Sequence, residues 1–144
     1  MTDPAFEAAF QAAQKSLGEG GIPIGAALAR GGEVIAVGHN ERVQHGDPIA
    51  HGEMSALRAA GRQRSYRDTV LYTTLAPCAM CTGTIIQFKI PKVVVGEAQT
   101  FPGEFDLLRS RGVEVVVLDD QRCVDMMQAF QRDNAALWAE DIAE

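Results

Sequence analysis

Two short stretches of the chain carry residue types that could hold a metal ion and move a proton. They are His51-Gly52-Glu53 and Pro77-Cys78-Ala79-Met80-Cys81. One imidazole and two thiolates suit Zn²⁺, and three protein ligands leave the fourth tetrahedral position for a water or hydroxide. The spacing therefore predicts one open, catalytic zinc site on His51, Cys78 and Cys81.

Helix geometry explains how these residues could face one ion. Cys78 and Cys81 share one helix face, and Pro77 is typical of a helix start, where the positive end of the helix dipole favours thiolates. His51 and Glu53 would diverge in a helix interior, so we expect both in the first turn of a helix. Glu53 is then predicted to be the proton carrier beside the zinc-bound water rather than a ligand.

A non-enzymatic zinc-binding module is the alternative of a different class, because structural zinc ribbons and redox pairs also use C-x-x-C. A ribbon needs a fourth protein ligand. The only other cysteine is Cys123, which we expect to be a small buried hydrophobe, and His39 and His45 fall in a predicted polar loop. The ligand count therefore favours an enzyme.

The composition indicates a single globular domain over residues 1–144, with 47% hydrophobic residues and a net charge of −6. The sequence shows neither an apolar run of membrane-spanning length nor the pattern of a signal peptide, so we expect a cytoplasmic protein with no membrane partner. Its basic residues are scattered rather than clustered. This pattern favours a small uncharged substrate over a polynucleotide.

Hydrophobic periodicity predicts strands and helices that alternate along most of the chain. The first helix begins at a cap on Thr2 or Asp3, and the last begins at Asp119 or Asp120. A Gly31-Gly32 turn should join two antiparallel strands, and the later strand–helix–strand order predicts parallel pairing. The expected fold is a three-layer α/β/α sandwich on a five-stranded mixed sheet. The predicted strands are 24–30, 33–38, 69–74, 92–96 and 113–118, and the predicted internal helices are 50–62, one from Pro77, and 104–111.

An H-x-E pair followed by P-C-x-x-C is the pattern of zinc-dependent nucleobase deaminases. With this motif on that architecture, the chain resembles the cytidine deaminase superfamily, and within it the fungal-type cytosine deaminases that act on the free base. The resemblance covers nearly the whole chain. It includes Glu19-Gly20-Gly21-Ile22-Pro23-Ile24-Gly25, Gly38-His39-Asn40, Leu71-Tyr72-Thr73-Thr74-Leu75, Val94-Val95-Gly96-Glu97 and Trp138-Ala139-Glu140-Asp141-Ile142.

The resemblance implies a set of substrate contacts in addition to the zinc ligands and Glu53. The polar contacts are Asn40 and the backbone of Gly52 at the carbonyl edge of the base, and Asp141 at its amino or ring N–H edge. The apolar contacts are Phe101 and Trp138 against the ring or its lid, and Ile24 and Leu75 at the floor. From the residues alone, Asn40 is more typical of a turn, and Trp138 and Asp141 are typical of a packing anchor and a solvated tail.

The implied reaction is hydrolytic deamination of cytosine to uracil and ammonia, in pyrimidine salvage, by a homodimer. Ala76 and Ala79 replace polar residues often found around the first cysteine of the fungal enzymes, so isocytosine or another amino-substituted base such as guanine stays open as the substrate. A tRNA adenosine deaminase is a more distant alternative. It is disfavoured by Gly52, where those enzymes commonly carry Ala, and by the acidic charge balance.

Overall fold

The computed structural model describes residues 3–144 and contains a five-stranded sheet in the order β2-β1-β3-β4-β5. β1 pairs antiparallel with β2 and β3, whereas β3, β4 and β5 pair in parallel. The mixed sheet and the direction of its predicted pairings are therefore confirmed. The strands are β1 (Gly25–Arg30), β2 (Glu33–His39), β3 (Thr69–Leu75), β4 (Lys92–Glu97) and β5 (Glu114–Val117).

Helices cover both faces of the sheet, which confirms the predicted three-layer arrangement. α1 packs on β1, β2 and β3, and α6 packs on β4, while α3, α4 and α5 lie in the other layer. The helices are α1 (Pro4–Gly18), α2 (Arg42–His45), α3 (Gly52–Ala60), α4 (Ala79–Gln87), α5 (Phe105–Ser110), α6 (Gln121–Asp133) and α7 (Ala135–Asp141).

Local signals account for several of these boundaries. The side chain of Asp3 accepts a hydrogen bond from the backbone N–H of Ala5 at 2.9 Å and so caps α1, whereas Thr2 lies outside the described residues. Gly31 and Gly32 have φ values of 58° and 82°, which the two-residue turn between β1 and β2 requires. Asp120, rather than Asp119, caps the helix that follows β5.

The apolar core follows the alternation of side chains along the central strands. Val93 and Val95 of β4 are fully buried and join Leu71 and Ile85 in the cluster beneath α3 and α4. On the opposite face, Phe6 of α1 packs against Cys123 of α6. Cys123 is fully buried, as predicted, and burial raises the pKa of its thiol to about 12.

Two segments differ from the sequence-based expectation. The polar loop expected over residues 39–48 contains the short helix α2, and His39 belongs to β2. The C-terminal helical segment is divided at Asn134, whose φ and ψ of −138° and 48° are not helical. This break separates α7 from α6. Within the described residues, no helix combines the length and the apolar character that crossing a bilayer requires.

Candidate active site

The candidate site lies where the first turns of α3 and α4 meet. His51 is the N-cap of α3 and Cys78 is the N-cap of α4, and both have extended backbone conformations. The predictions that His51 lies in the first turn of its helix and that the second helix starts at Pro77 were therefore wrong, because these helices begin at Gly52 and Ala79. The extended conformation of His51 explains how it and Glu53, only two residues apart, line one cavity.

The three predicted ligands lie together and fit a tetrahedral zinc ion. Their ligand atoms are all within 4.8 Å of one another, and His51 Nδ1 lies 3.4 Å from Cys78 Sγ and 3.9 Å from Cys81 Sγ. A tetrahedral ion with ordinary Zn–N and Zn–S bonds places such atoms about 3.6 Å apart. The observed separations bracket this value, so the side chains present match the group in both donor type and spacing.

The second ring nitrogen of His51 faces the last helix. Its Nε2 lies 3.2 Å from Oδ1 of Asp141. Burial disfavours the charged imidazole, but hydrogen bonds with Asp141 and Cys78 outweigh it and raise the pKa of His51 to about 10. The hydrogen bond with Cys81, assisted by His51, lowers the pKa of Cys78 to about 4 despite its burial. The site thus favours a thiolate at Cys78 beside Nδ1 of His51.

Glu53 lies in the first turn of α3 and is only 4% exposed. Burial raises the pKa of its carboxyl to about 7, and the charge on Cys78 contributes in the same direction. A carboxyl that titrates near neutral pH can both accept and donate a proton. Its place in the cavity beside the three ligands is the place that a proton carrier requires.

The cavity above the ligand cluster is small and mostly apolar, and its volume of about 10 Å³ is that of a single water molecule. The rings of Phe101 and Trp138 meet edge to face with centroids 5.9 Å apart. Five of the seven predicted substrate contacts line this cavity, namely Ile24, Leu75, Phe101, Trp138 and Asp141. Ala76 and Ile142 also line it, although the sequence-based set did not include them.

The two remaining predicted contacts, Asn40 and Gly52, are not among the residues that line the cavity. Asn40 is fully buried, and its Nδ2 donates to Oδ1 of Asp141 at 3.2 Å. Its Oδ1 accepts from the backbone N–H of Arg42 at 3.0 Å, which is the turn interaction typical of asparagine. A Cβ on Gly52 would lie 3.1 Å from the backbone oxygen of Ile24, so Gly52 permits close packing there.

An ion pair missed by the sequence analysis holds α7 beside the cavity. Arg42 of α2 donates from Nε to Oε1 of Glu140 at 3.0 Å and from Nη1 to the backbone oxygen of Pro48 at 3.3 Å. The adjacent Asn40–Asp141 hydrogen bond supports the same helix. No sequence signal relates Arg42 to Glu140, because both residues would be equally stable in water as isolated surface charges.

Comparison with known proteins identifies the family to which this chain belongs. Residues 2–97 match the cytidine and deoxycytidylate deaminase zinc-binding region. A cytosine deaminase of Candida albicans is 48% identical over 142 residues, covering 96% of this chain and 95% of that protein. A tRNA-specific adenosine deaminase of Streptococcus pyogenes is 34% identical, covering 88% of this chain and 87% of its own. The chain belongs to this family of zinc-binding deaminases, and its His51, Cys78 and Cys81 cluster fits the zinc ion.

Solved structures share the same fold. Guanine deaminase from Nitrosomonas europaea superposes with a TM-score of 0.78 at 19% identity, over 92% of this chain and 85% of that one. A structure from work on tRNA:A34 deaminases has a TM-score of 0.68 at 26% identity, covering 78% of this chain and 95% of its own. The α/β/α sandwich of this chain is thus a fold that it shares with solved deaminase structures.

Proposed function

We propose that this protein deaminates free cytosine to uracil and ammonia by hydrolysis. The observation that carries the proposal is the apolar cavity over the ligand cluster, which Glu53 lines together with the paired rings of Phe101 and Trp138. These rings offer the apolar surface that suits a flat, neutral base. The 48% identity to a cytosine deaminase over nearly the full length of both chains supports this choice of base.

His51, Cys78 and Cys81 would hold the zinc ion, and Glu53 would carry the protons. When bound, zinc acts as a Lewis acid and activates water as the nucleophile at neutral pH. Glu53 takes a proton from this water and delivers it to the ring nitrogen next to the amino-bearing carbon. The water oxygen bonds to the amino-bearing carbon, and Glu53 then moves the remaining proton of the added hydroxyl to the amino group. The carbon–nitrogen bond breaks, ammonia leaves, and the oxygen stays as the new carbonyl of uracil.

The remaining side chains would bind and orient the base. Ile24 and Leu75 line the cavity and would form its floor, and Phe101 and Trp138 would cover the ring. The carboxylate of Asp141, which also lines the cavity, would accept from the amino edge of cytosine.

Asn40 and the backbone N–H of Gly52 would meet the carbonyl edge, although neither lines the closed cavity. In this structure Nδ2 of Asn40 donates its hydrogen bond to Asp141. To contact the base, Asn40 must therefore give up that hydrogen bond and donate to the base carbonyl instead. A site with these polar partners rejects rings that leave them unpaired.

Ammonia release by the zinc-loaded protein tests the proposal. The panel comprises cytosine, isocytosine, cytidine, guanine, adenine and a tRNA anticodon stem-loop. We expect turnover of cytosine and no turnover of cytidine or the stem-loop, because the sugar would collide with α7. Turnover of isocytosine alone would show that the base binds in the reversed orientation. Turnover of the stem-loop with cytosine untouched would overturn the proposed substrate class.

We further propose that residues 1–144 form one deaminase domain that acts as a cytoplasmic homodimer in pyrimidine salvage. Partly exposed apolar residues on the outer surface of α4 support the proposal that two copies of the chain associate there. Met80 and Ile86 are only partly buried, and Phe88 just beyond the helix is 47% exposed. Light scattering after size-exclusion chromatography should give twice the 15.5 kDa chain mass. A Phe88→Glu variant should shift that mass toward the monomer.

A further inference from the structure

Glu97 is a fully buried carboxylate to which the proposed reaction gives no role. It is the last residue of β4 and pairs with Leu75 at the end of β3, next to the segment that leads to Cys78. A carboxylate withdrawn from water is costly unless hydrogen bonds replace its hydration. Its position beside the cavity therefore calls for a physical explanation.

Within residues 3–144, every hydrogen bond that the Glu97 carboxylate accepts comes from one short turn. Its Oε2 accepts from the backbone N–H groups of Gln99 at 2.8 Å and Thr100 at 3.0 Å. Its Oε1 accepts from the hydroxyl of Thr100. Consecutive backbone N–H groups around one anion form a rigid, charge-assisted arrangement. The carboxylate thus determines the path of residues 98–100.

The residue that follows this turn is Phe101, which forms one wall of the cavity. Its ring meets Trp138 of α7 edge to face, and the backbone oxygen of Thr100 accepts from Nε2 of Gln131 on α6 at 3.2 Å. Glu97 and Gln131 therefore fix the turn from two sides. The turn sets the course of the backbone into Phe101, whose ring packs against the apolar core.

We propose that Glu97 is a positioning residue that holds Phe101 against Trp138 and so shapes the substrate cavity. This inference rests on the proposed function for its kinetic consequence, but its structural part does not depend on the identity of the substrate. Glu97 acts through the turn and contacts neither base nor metal ligand. Its loss should weaken binding of the base more than it slows the chemical step.

Trp138 is the only tryptophan in the chain, so its fluorescence reports directly on this wall. The experiment compares the zinc-loaded variants Glu97→Leu and Glu97→Gln with the unmodified protein. Leucine fills similar space but leaves two backbone N–H groups without a partner. Glutamine can accept from both and donate to the Thr100 hydroxyl. Glu114→Gln, at the opposite end of neighbouring β5, is the matched control for charge removal.

For Glu97→Leu we expect a red shift of the Trp138 emission, stronger quenching by acrylamide, and an increase of about tenfold in KM with kcat nearly unchanged. Glu97→Gln and Glu114→Gln should both resemble the unmodified protein. If Glu97→Leu does not fold, Thr100→Val, which removes only the hydroxyl donor, should show the same changes to a smaller extent.

An unchanged emission spectrum and unchanged quenching in the folded variant would overturn the proposal. A loss confined to kcat would also overturn it, because it would assign Glu97 to the chemical step. If the unmodified protein fails to turn over cytosine, the proposed function fails by itself. The fluorescence comparison would still decide the role of Glu97.

Discussion

Nε2 of His51 lies 3.2 Å from Oδ1 of Asp141, and the same oxygen accepts a hydrogen bond from Nδ2 of Asn40. A zinc ligand on α3 is thereby joined to the last helix of the chain. A metal-bound histidine whose other N–H donates to a carboxylate is held in one tautomer and one orientation. Asp141 therefore has two roles in our account, as a support for zinc binding and as a contact for the base.

Replacement of Asp141 by alanine should weaken zinc binding by about 10- to 100-fold, because His51 loses the partner that orients it. Competition with a chromophoric chelator measures the affinity. Glu144→Gln is the matched control, since it removes an exposed carboxylate three residues further along the chain. Equal zinc affinity in Asp141→Ala and the unmodified protein would contradict this role.

The chemistry of the site could be predicted from the sequence because its signals are local. His51, Glu53, Cys78 and Cys81 form two short motifs whose residue types have few other uses in combination. The contact between Asp141 and His51 is different, because it joins residues at distant positions in the chain. Either side chain alone would be stable in water, so no local pattern relates them.

The limits of prediction were similar for the fold. Alternating and helical periodicity located the five strands and the main helices, since these patterns follow from burial on one face. The break at Asn134 left no such signal, because apolar residues continue on both sides of it. Glu97 was recognised only as part of a family motif. Its three hydrogen bonds depend on the conformation of a turn, which periodicity does not describe.

The space around two glycines predicts opposite effects on stability when each is replaced by alanine. A Cβ on Gly38 would lie 2.3 Å from the backbone nitrogen of Ala56, so Gly38→Ala should lower the free energy of unfolding by ~1–3 kcal/mol. Gly18, exposed at the end of α1, has open space around it, and Gly18→Ala should raise that free energy by up to ~1 kcal/mol. Urea unfolding measures both. Equal effects of the two substitutions would contradict the packing described.

The cap of α6 predicts a pH-dependent contribution to stability. Hydrogen bonds from Arg122 lower the pKa of Asp120, whose side chain also accepts from the backbone N–H of Arg122. Because the folded-state pKa is depressed, this stabilisation is present above the unfolded pKa of about 3.9 and is lost as pH falls through the folded value. In Asp120→Asn the side chain still caps the helix but has no charge. The substitution should therefore lower the free energy of unfolding by about 0.5 kcal/mol at pH 7.

The difference between Asp120→Asn and the unmodified protein should begin to shrink as pH falls below about 3.9, and it should disappear once Asp120 is protonated in the folded state as well. Urea unfolding at several pH values in the same ionic strength measures it. Asp119→Asn is the control, because Asp119 is exposed and its φ of 51° is one that asparagine tolerates. A difference that stays constant from pH 7 to pH 3 would exclude the charge of Asp120 as its cause.

The most direct test of the central claim is the rate of uracil formation from cytosine by the unmodified protein and by Glu53→Gln. Both are loaded to the same zinc content, checked by mass spectrometry of the metal. We predict that the unmodified protein forms uracil and that Glu53→Gln retains zinc but loses at least ~10²-fold in rate, because the amide cannot carry the proton. Uracil formation at equal rates would contradict the role of Glu53, and its absence in both would contradict cytosine as the substrate.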